Sequence, residues 1–302
     1  MRYDSHHYPT SATTHGTADQ VSPRVRLSWF PDPATTLWAY YGRQFIPTSI
    51  EDLRAITSAS QGGVVSAPTL PERDDFYEVG VTHRFPVGVV VKLSGYHKKS
   101  SPGTDDTQVP GTAITTDVNI AQIRVTGIEG VVEVRPSGPI SGFLNLALAH
   151  AYGYGAVTGG FFSATPPGQP FDLDHDQRLS ATAGLTWGSR GLLVTATGIY
   201  GSGLNGGLVP NSPGLPNYDP ALPTTAPLGT GLFAFDNAFH VKPSFTVNAT
   251  AGYTFLVGSI EVRPQLFVDN LFDLKYSLKG AFFAGAQIGK PRTVQFRVTL
   301  GV

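Results

Sequence analysis

One pattern constrains this chain more than any other: apolar and polar residues alternate at every second position, in segments about ten residues long. From Thr293 to Val302 one face reads Val294, Phe296, Val298, Leu300, Val302, and the other Thr293, Gln295, Arg297, Thr299. The same alternation runs through Thr246 to Phe255 and Arg178 to Trp187. Weaker versions lie at Pro23 to Phe30, Thr36 to Phe45, Phe76 to Phe85, Gly88 to Lys98, Gln122 to Arg135, Ile140 to Tyr152, Gly191 to Tyr200 and Ser259 to Asp269, with a frayed strand at Arg2 to Tyr8. A helix cannot present period-two faces, so the chain reads as about twelve strands. Runs of about 9–11 residues are long for a globular strand and right for a tilted strand crossing a bilayer.

The connections alternate in kind. Short turns fall near Pro31 to Thr35, Pro86 to Gly88, Pro136 to Pro139, Gly188 to Gly191 and Leu256 to Ser259. Between them lie long Gly/Pro/Thr-rich loops near Pro9 to Asp19, Pro47 to Asp75, Lys99 to Asn119, Gly153 to Asp174, Gly201 to Val241 and Asn270 to Pro291. Short turns on one rim and long loops on the other describe an all-β, antiparallel transmembrane β-barrel segment with periplasmic turns and extracellular loops. A compact soluble sandwich seldom carries so many long loops.

Composition excludes other classes. With 21 Lys+Arg against 22 Asp+Glu the surface is not built to neutralise phosphate backbones, so no nucleic-acid partner is expected. Only 14% of residues are charged, well below the roughly 25% of ordinary soluble domains. No apolar run approaches the roughly 20 residues of a spanning helix. The absence of Cys removes thiolate chemistry and disulfides, and the first residues lack the apolar stretch of a secretory signal.

Charges within strands fall mostly opposite the apolar face: Arg24, Arg26, Glu78, Arg84, Lys92, Glu129, Glu133, Glu261, Arg263 and Arg297. In lipid each would cost several kcal/mol, whereas a watery lumen accepts them. Glu129, Glu133, Glu261, Arg263 and Arg297 are the lumen-facing candidates. Trp29, Phe30, Trp38, Tyr40, Tyr41, Phe85, Tyr152, Tyr154, Trp187, Tyr200, Tyr253 and Phe255 gather near strand ends, where interfacial girdles sit.

Asp269 to Tyr276 reads D-N-L-F-D-L-K-Y, followed by Gly289, Pro291, Arg292 and a last strand ending R-V-T-L-G-V. Asn270 and Asp273 are turn formers, and Leu271, Phe272 and Tyr276 are suited to anchor that turn at an interface. This resembles the C-terminal signature of TonB-dependent outer-membrane receptors, in which an Asn-Leu-Phe-Asp element closes the penultimate strand and Pro-Arg-Thr opens the last. Ser22 to Leu53, with Pro-Arg opening a strand and Tyr-Gly-Arg leading into a loop, is similar to a mid-barrel hairpin of that family. Val302 departs from the aromatic terminal residue that is common there.

The resemblance implies uptake of a large scarce nutrient, of the ferric siderophore, cobalamin or glycan class, by a 22-stranded barrel with an N-terminal plug powered through TonB. Residues 1–302 then correspond to the C-terminal part of the barrel, an incomplete barrel without plug. The implied partners are outer-membrane lipid, the missing N-terminal strands and plug, the TonB system through that missing part, and the barrel-assembly machinery. The implied location is the outer membrane of a Gram-negative-type bacterium. An open sheet in lipid would expose about 20 unpaired backbone groups at several kcal/mol each, which requires partner strands or closure. The alternatives are a self-contained twelve-stranded barrel, either a porin or a phospholipase-type enzyme using His150 or His83 with a nearby Ser. No spacing favours the enzyme, and no catalytic residue or cofactor is expected.

Two loop features remain. Phe161, Phe162, Phe171, Tyr218, Phe233 and Phe235 are candidate ligand-facing residues, with loop packing as the plainer reading. Asp172, Asp174, His175 and Asp176 offer groups that bind divalent ions, but the plainer reading is a solvated loop leading into a strand, and no metal site is expected.

Overall fold

The computed structural model describes residues 1–9, 15–48, 69–108, 115–135, 138–159, 162–164, 170–173, 175–204, 241–279 and 287–301. Among the described residues every regular element is a strand, and no helix is long and apolar enough to cross a membrane. Among the described residues, strands β1 (Arg2–Pro9) and β2 (His15–Ser22) pair only with each other. Then come β3 (Arg24–Asp32), β4 (Thr35–Ile46), β5 (Glu72–Arg84), β6 (Val89–Ser100) and the short β7 (Gly103–Gln108). Two strands of 20 residues follow, β8 (Thr115–Val134) and β9 (Ile140–Gly159). Short β10 (Phe162–Ala164) and β11 (Phe171–Asp172) fold back onto β9. The remainder are β12 (Leu179–Ser189), β13 (Leu192–Gly201), β14 (Ser244–Tyr253), β15 (Phe255–Val257), β16 (Ile260–Asp269), β17 (Ser277–Lys279), β18 (Gln287–Ile288) and β19 (Thr293–Gly301).

The main sheet is an antiparallel meander in the order β3-β4-β5-β6-β8-β9-β12-β13-β14-β16-β19. It is open, because β3 and β19 each pair on one side only among the described residues. Nine of the eleven long strands match the expected positions within a few residues, β8 and β9 running about seven residues further at their loop ends, and the short turns among the described residues fall where Pro and Gly predict them. Arg190 and Gly191 both have positive φ, the two-residue hairpin geometry whose twist suits antiparallel strands.

Three expectations need correction. The segment Arg2 to Tyr8 does not join the sheet, but makes the outlying hairpin with β2. Segments Lys99 to Asn119 and Gly153 to Asp174 are partly strand, because β8 and β9 continue past the apolar-faced region and collect β7, β10 and β11. Trp38 and Tyr40 do not belong to an outer girdle: period two puts Leu37, Ala39 and Tyr41 on the apolar face and leaves Trp38 and Tyr40 on the polar one.

Register makes both faces continuous. The apolar face carries Leu37, Val81, Leu93, Gly130, Leu146 and Ala181 as successive cross-strand neighbours. It is exposed: Leu27 is 69%, Leu185 59% and Phe296 70% accessible. The buried apolar cluster sits instead at the loop end of β8 and β9, where Val118, Ile120, Ile123, Val157, Phe171 and Leu173 pack together with Val125 and Ala151. Gly153 is required there, since a Cβ would come within 2.6 Å of the Phe171 ring.

Candidate functional site

The charged residues expected opposite the apolar face do share the polar face. Glu129 on β8 is the register neighbour of Ser94 and Ala147, and Glu133 of Val90 and Phe143. Glu261 and Arg263 on β16 are joined by an ion pair of 2.7 Å. Arg297 on β19 lies over the Phe267 ring, 5.3 Å from its centroid. The structure does not bring the five together. Between the β8 pair and the β16/β19 group lie four strands, β9, β12, β13 and β14, whose polar face carries Asn145, Thr182, Thr186, Thr195, Thr197, Asn248 and Thr250 without a charge. Thr186 and Thr195 hydrogen-bond across β12 and β13 at 2.9 Å. Such a wall offers hydroxyls and amides for exchangeable polar contacts, flanked by an acidic and a mixed patch.

A third patch was missed in the sequence. Trp38, only 7% exposed, lies between the Arg26 guanidinium at 4.7 Å and the Lys92 ammonium at 5.4 Å. Each cation stacks on the negative face of the indole. The signal was present, because Arg26 and Lys92 both sit in phase with Trp38, but the three belong to different strands. Nearer the loops, Lys98 bridges the buried carboxylates of Glu72 at 2.8 Å and Asp74 at 3.1 Å, and Glu72 also accepts the Thr104 backbone N–H at 2.6 Å. A half-buried cation shared by two buried carboxylates holds β5, β6 and β7 in register where the sheet leaves its apolar-faced zone.

Of the loop aromatics, Phe161, Tyr218, Phe233 and Phe235 lie outside the described residues. Phe162 occupies β10 opposite Gly159. Phe171 is 2% exposed inside the apolar cluster and presents no face to a ligand, so it follows the packing reading.

The acidic loop is not the solvated lead-in that the sequence suggests, since Asp176 is 2% exposed. Asp172 and Asp176 converge with His150, close enough for the three to chelate a cation. The Arg178 guanidinium bonds both carboxylates, reaching Asp172 at 2.7 Å and pairing with Asp176 through Nε. His150 Nε2 lies 2.8 Å from Asp172, and Asp176 accepts the Ala151 N–H at 2.7 Å. A fixed cation therefore already offsets one of the two carboxylate charges, and the cluster clips the segment before β12 onto β9. Asp174 lies outside the described residues, and His175 faces Asp105 at 3.6 Å.

The Asn-Leu-Phe-Asp motif is a clasp. Asn270 and Asp273 both have positive φ, a conformation that short polar side chains tolerate. Asn270, 3% exposed, accepts the Leu274 N–H at 2.9 Å and donates to the carbonyls of Leu274 at 2.9 Å and Lys290 at 3.0 Å. Its own N–H reaches Asn248 Oδ1 at 2.8 Å, and the Leu271 N–H reaches the Val247 carbonyl at 2.7 Å. Asp273 accepts the Arg292 N–H at 3.0 Å and Lys275 at 3.3 Å, which holds its carboxyl below the usual range. Pro291 accepts from the Thr293 hydroxyl at 3.2 Å, while Phe272 is 72% exposed. The motif thus ties the end of β16 to β14 and to the chain returning into β19.

The sequence model described as TonB dependent receptor-like, β-barrel matches residues 1–271. No curated protein matches the sequence. Among solved structures, the FrpB iron transporter from Neisseria meningitidis superposes with a TM-score of 0.64 at 15% identity, over 98% of this chain and 41% of that one. The siderophore receptor PiuA from Acinetobacter baumannii gives 0.63 at 15% identity, over 98% and 38%. The copper transporter OprC gives 0.64 at 16% identity, over 94% and 39%. The chain therefore spans about two-fifths of the length of the solved structures it matches.

Proposed function

The chain belongs to the TonB-dependent receptor-like β-barrel family, and from that premise we propose that it forms the C-terminal part of the wall of an outer-membrane receptor for uptake of a scarce nutrient. The observation that carries the reading is the inverted sheet: eleven long strands with an exposed apolar face and a polar, charged opposite face. In water that arrangement would be penalised at about 25 cal/mol for each Å² of apolar surface left wet, whereas a bilayer removes the penalty. The apolar face meets lipid and the polar face lines a lumen containing Glu129, Glu133, Glu261, Arg263 and Arg297. Residues 1–302 act as one barrel unit. The free edges of β3 and β19 require partner strands, which the rest of a full barrel supplies.

In this reading the plug, the TonB system and the barrel-assembly machinery engage the receptor as a whole, and loop residues such as Phe162 and Tyr218 contribute to ligand capture. The neighbours carry iron, siderophore and copper in their names, which favours a metal-bearing cargo over a glycan. The test is fractionation followed by growth. The protein is expected in outer membranes after carbonate and urea washing, and its disruption should abolish TonB-dependent growth on one member of a panel of ferric siderophores, copper, cobalamin and glycans. Recovery in the washed-off fraction would overturn the reading.

A further inference from the structure

A groove of about 420 Å³ opens at the turn end of the polar face, across β12, β13, β14 and β16. Gly188, Gly191 and Gly252 line it without side chains, and Ser189, Arg190, Thr254, Arg263 and Gln265 stand around it. The sheet itself is interrupted there, and Pro264 is the cause. The Thr254 N–H donates to the Gly191 carbonyl on β13 at 2.8 Å. Main-chain groups of successive strand residues point to opposite sides, so Tyr253 turns its carbonyl toward β16. The residue opposite in register is Pro264, which has no N–H to donate. The ladder between β14 and β16 accordingly stops at the Gly252 and Gln265 pair and resumes only in β15, where Phe255 pairs with Val262. The Tyr253 carbonyl is left without a ladder donor beside the groove.

The groove is also the cationic end of its wall. Arg190, at a positive-φ turn position, is exposed and makes no ion pair among the described residues. Arg263 is paired with Glu261 at 2.7 Å. Arg297, the register neighbour of Gln265, rests on the Phe267 ring, a contact that leaves its charge uncompensated. Three guanidiniums therefore stand beside one side-chain carboxylate among the described residues at the turn end of β12 to β19. Above them the polar face of β12, β13 and β14 carries Thr182, Thr186, Thr195, Thr197, Asn248 and Thr250, none of them charged.

We infer that this groove binds a short acidic peptide segment presented from the turn side of the sheet. The inference rests on the membrane placement proposed above, which sets the turns toward the periplasm. Two kinds of group select a peptide. The Arg190 and Arg263 guanidiniums take carboxylates, for which their planar forks are matched. The Tyr253 carbonyl takes a main-chain N–H, as an incomplete sheet does when an extended chain adds to it. A small carboxylate or phosphate would meet the cations and leave that carbonyl unused. From β13 to β16 the groove crosses two strand spacings, about 10 Å, the length of about three extended residues. Ser189, Thr254 and Gln265 supply neutral donors and acceptors along that path.

The test uses the receptor purified in mild detergent, with acetyl-Asp-Asp-Asp-amide, its Asn-Asn-Asn counterpart and succinate as probes. The acidic peptide should half-saturate at about 1 mM or below and bind about tenfold tighter than either of the others. The R190Q/R263Q variant should lose about tenfold in affinity for the acidic peptide. E261Q, which removes the carboxylate competing for Arg263, should gain affinity. P264A returns an N–H to the ladder, so the acidic peptide should bind several-fold more weakly while succinate is unaffected. R43Q, at the loop rim, should behave as the parent. Equal binding of the three probes, an unaffected R190Q/R263Q variant, a weakened E261Q or a P264A that leaves the peptide unchanged would each overturn the inference. The placement is read separately: Ser259→Cys, in the turn between β15 and β16 of a chain that has no Cys, should react with a bulky impermeant maleimide only once the outer membrane is permeabilised. Reaction in intact cells would sink the proposed placement, whereas correct labelling without a preference for the acidic peptide would sink this inference alone.

Discussion

Strands β8 and β9 run through two regions that solve opposite problems. At the turn end their apolar residues, Ile128, Leu146 and Leu148, point outward and are 54%, 43% and 55% exposed. At the loop end Ile120, Ile123 and Val157 turn the other way and are at most 5% exposed, beneath Phe171. The same two chains switch from an inside-out to an ordinary outside-in arrangement within about ten residues. The difference teaches where the solvent changes: a face that needs no protein cover is adjacent to lipid, and a cluster that recruits β11 to cover it is in water.

The largest effect expected to break this contrast is Phe171→Ala, which should destabilise the loop-end cluster by about 3–5 kcal/mol. Hydrogen exchange should accelerate at residues 115–125 and 151–159 while the turn-end halves of β8 and β9 stay protected. Uniform acceleration along both strands would show that the two regions unfold as one. Phe296→Ala on the exposed face removes a ring of similar size and should leave exchange in the loop-end cluster unchanged.

Next in size, Leu146→Arg puts a charge into the apolar row and should cost about 2–4 kcal/mol when folding is measured in lipid vesicles. Asn145→Arg, one residue away on the polar face, should cost far less. Equal losses would mean the two faces see the same solvent. Asn270→Ala removes the buried amide that donates to the carbonyls of Leu274 and Lys290 and should cost about 1–3 kcal/mol, visible as protease cleavage between β16 and β19.

The smallest effect concerns acid. Asp273, held as a carboxylate by the Arg292 N–H and by Lys275, titrates below its ordinary value of 3.8 in the folded protein. Its stabilising contribution is therefore fully present above that ordinary value and is lost as pH falls through the depressed one. Proteolysis of the β16–β19 connection should rise in that acid window in the parent, and Asp273→Ala should already be cut faster at neutral pH.

Much of the architecture was legible because its causes are local. Alternation such as Val294, Phe296, Val298 against Gln295, Arg297, Thr299 fixes strand, face and length without any partner, and Pro and Gly mark every short turn. The residues of the Asn-Leu-Phe-Asp element fixed a turn for the same reason, since Asn270 and Asp273 tolerate positive φ on their own account. What only the tertiary structure decided depends on register between distant strands. Arg43, Asp75, Lys99, Arg124 and Tyr152 form one row across five strands, yet 109 positions separate the first from the last. Trp38 became a polar-face partner of Arg26 and Lys92 only once β3, β4, β5 and β6 were aligned. Loop packing was the plainer reading of Phe171, but its partners appeared only once the extension of β8 and β9 placed Ile120 and Gly153 against its ring. Side-chain alternation is written residue by residue, whereas a row or a core forms from residues far apart in the chain, whose adjacency hydrogen-bond register alone creates.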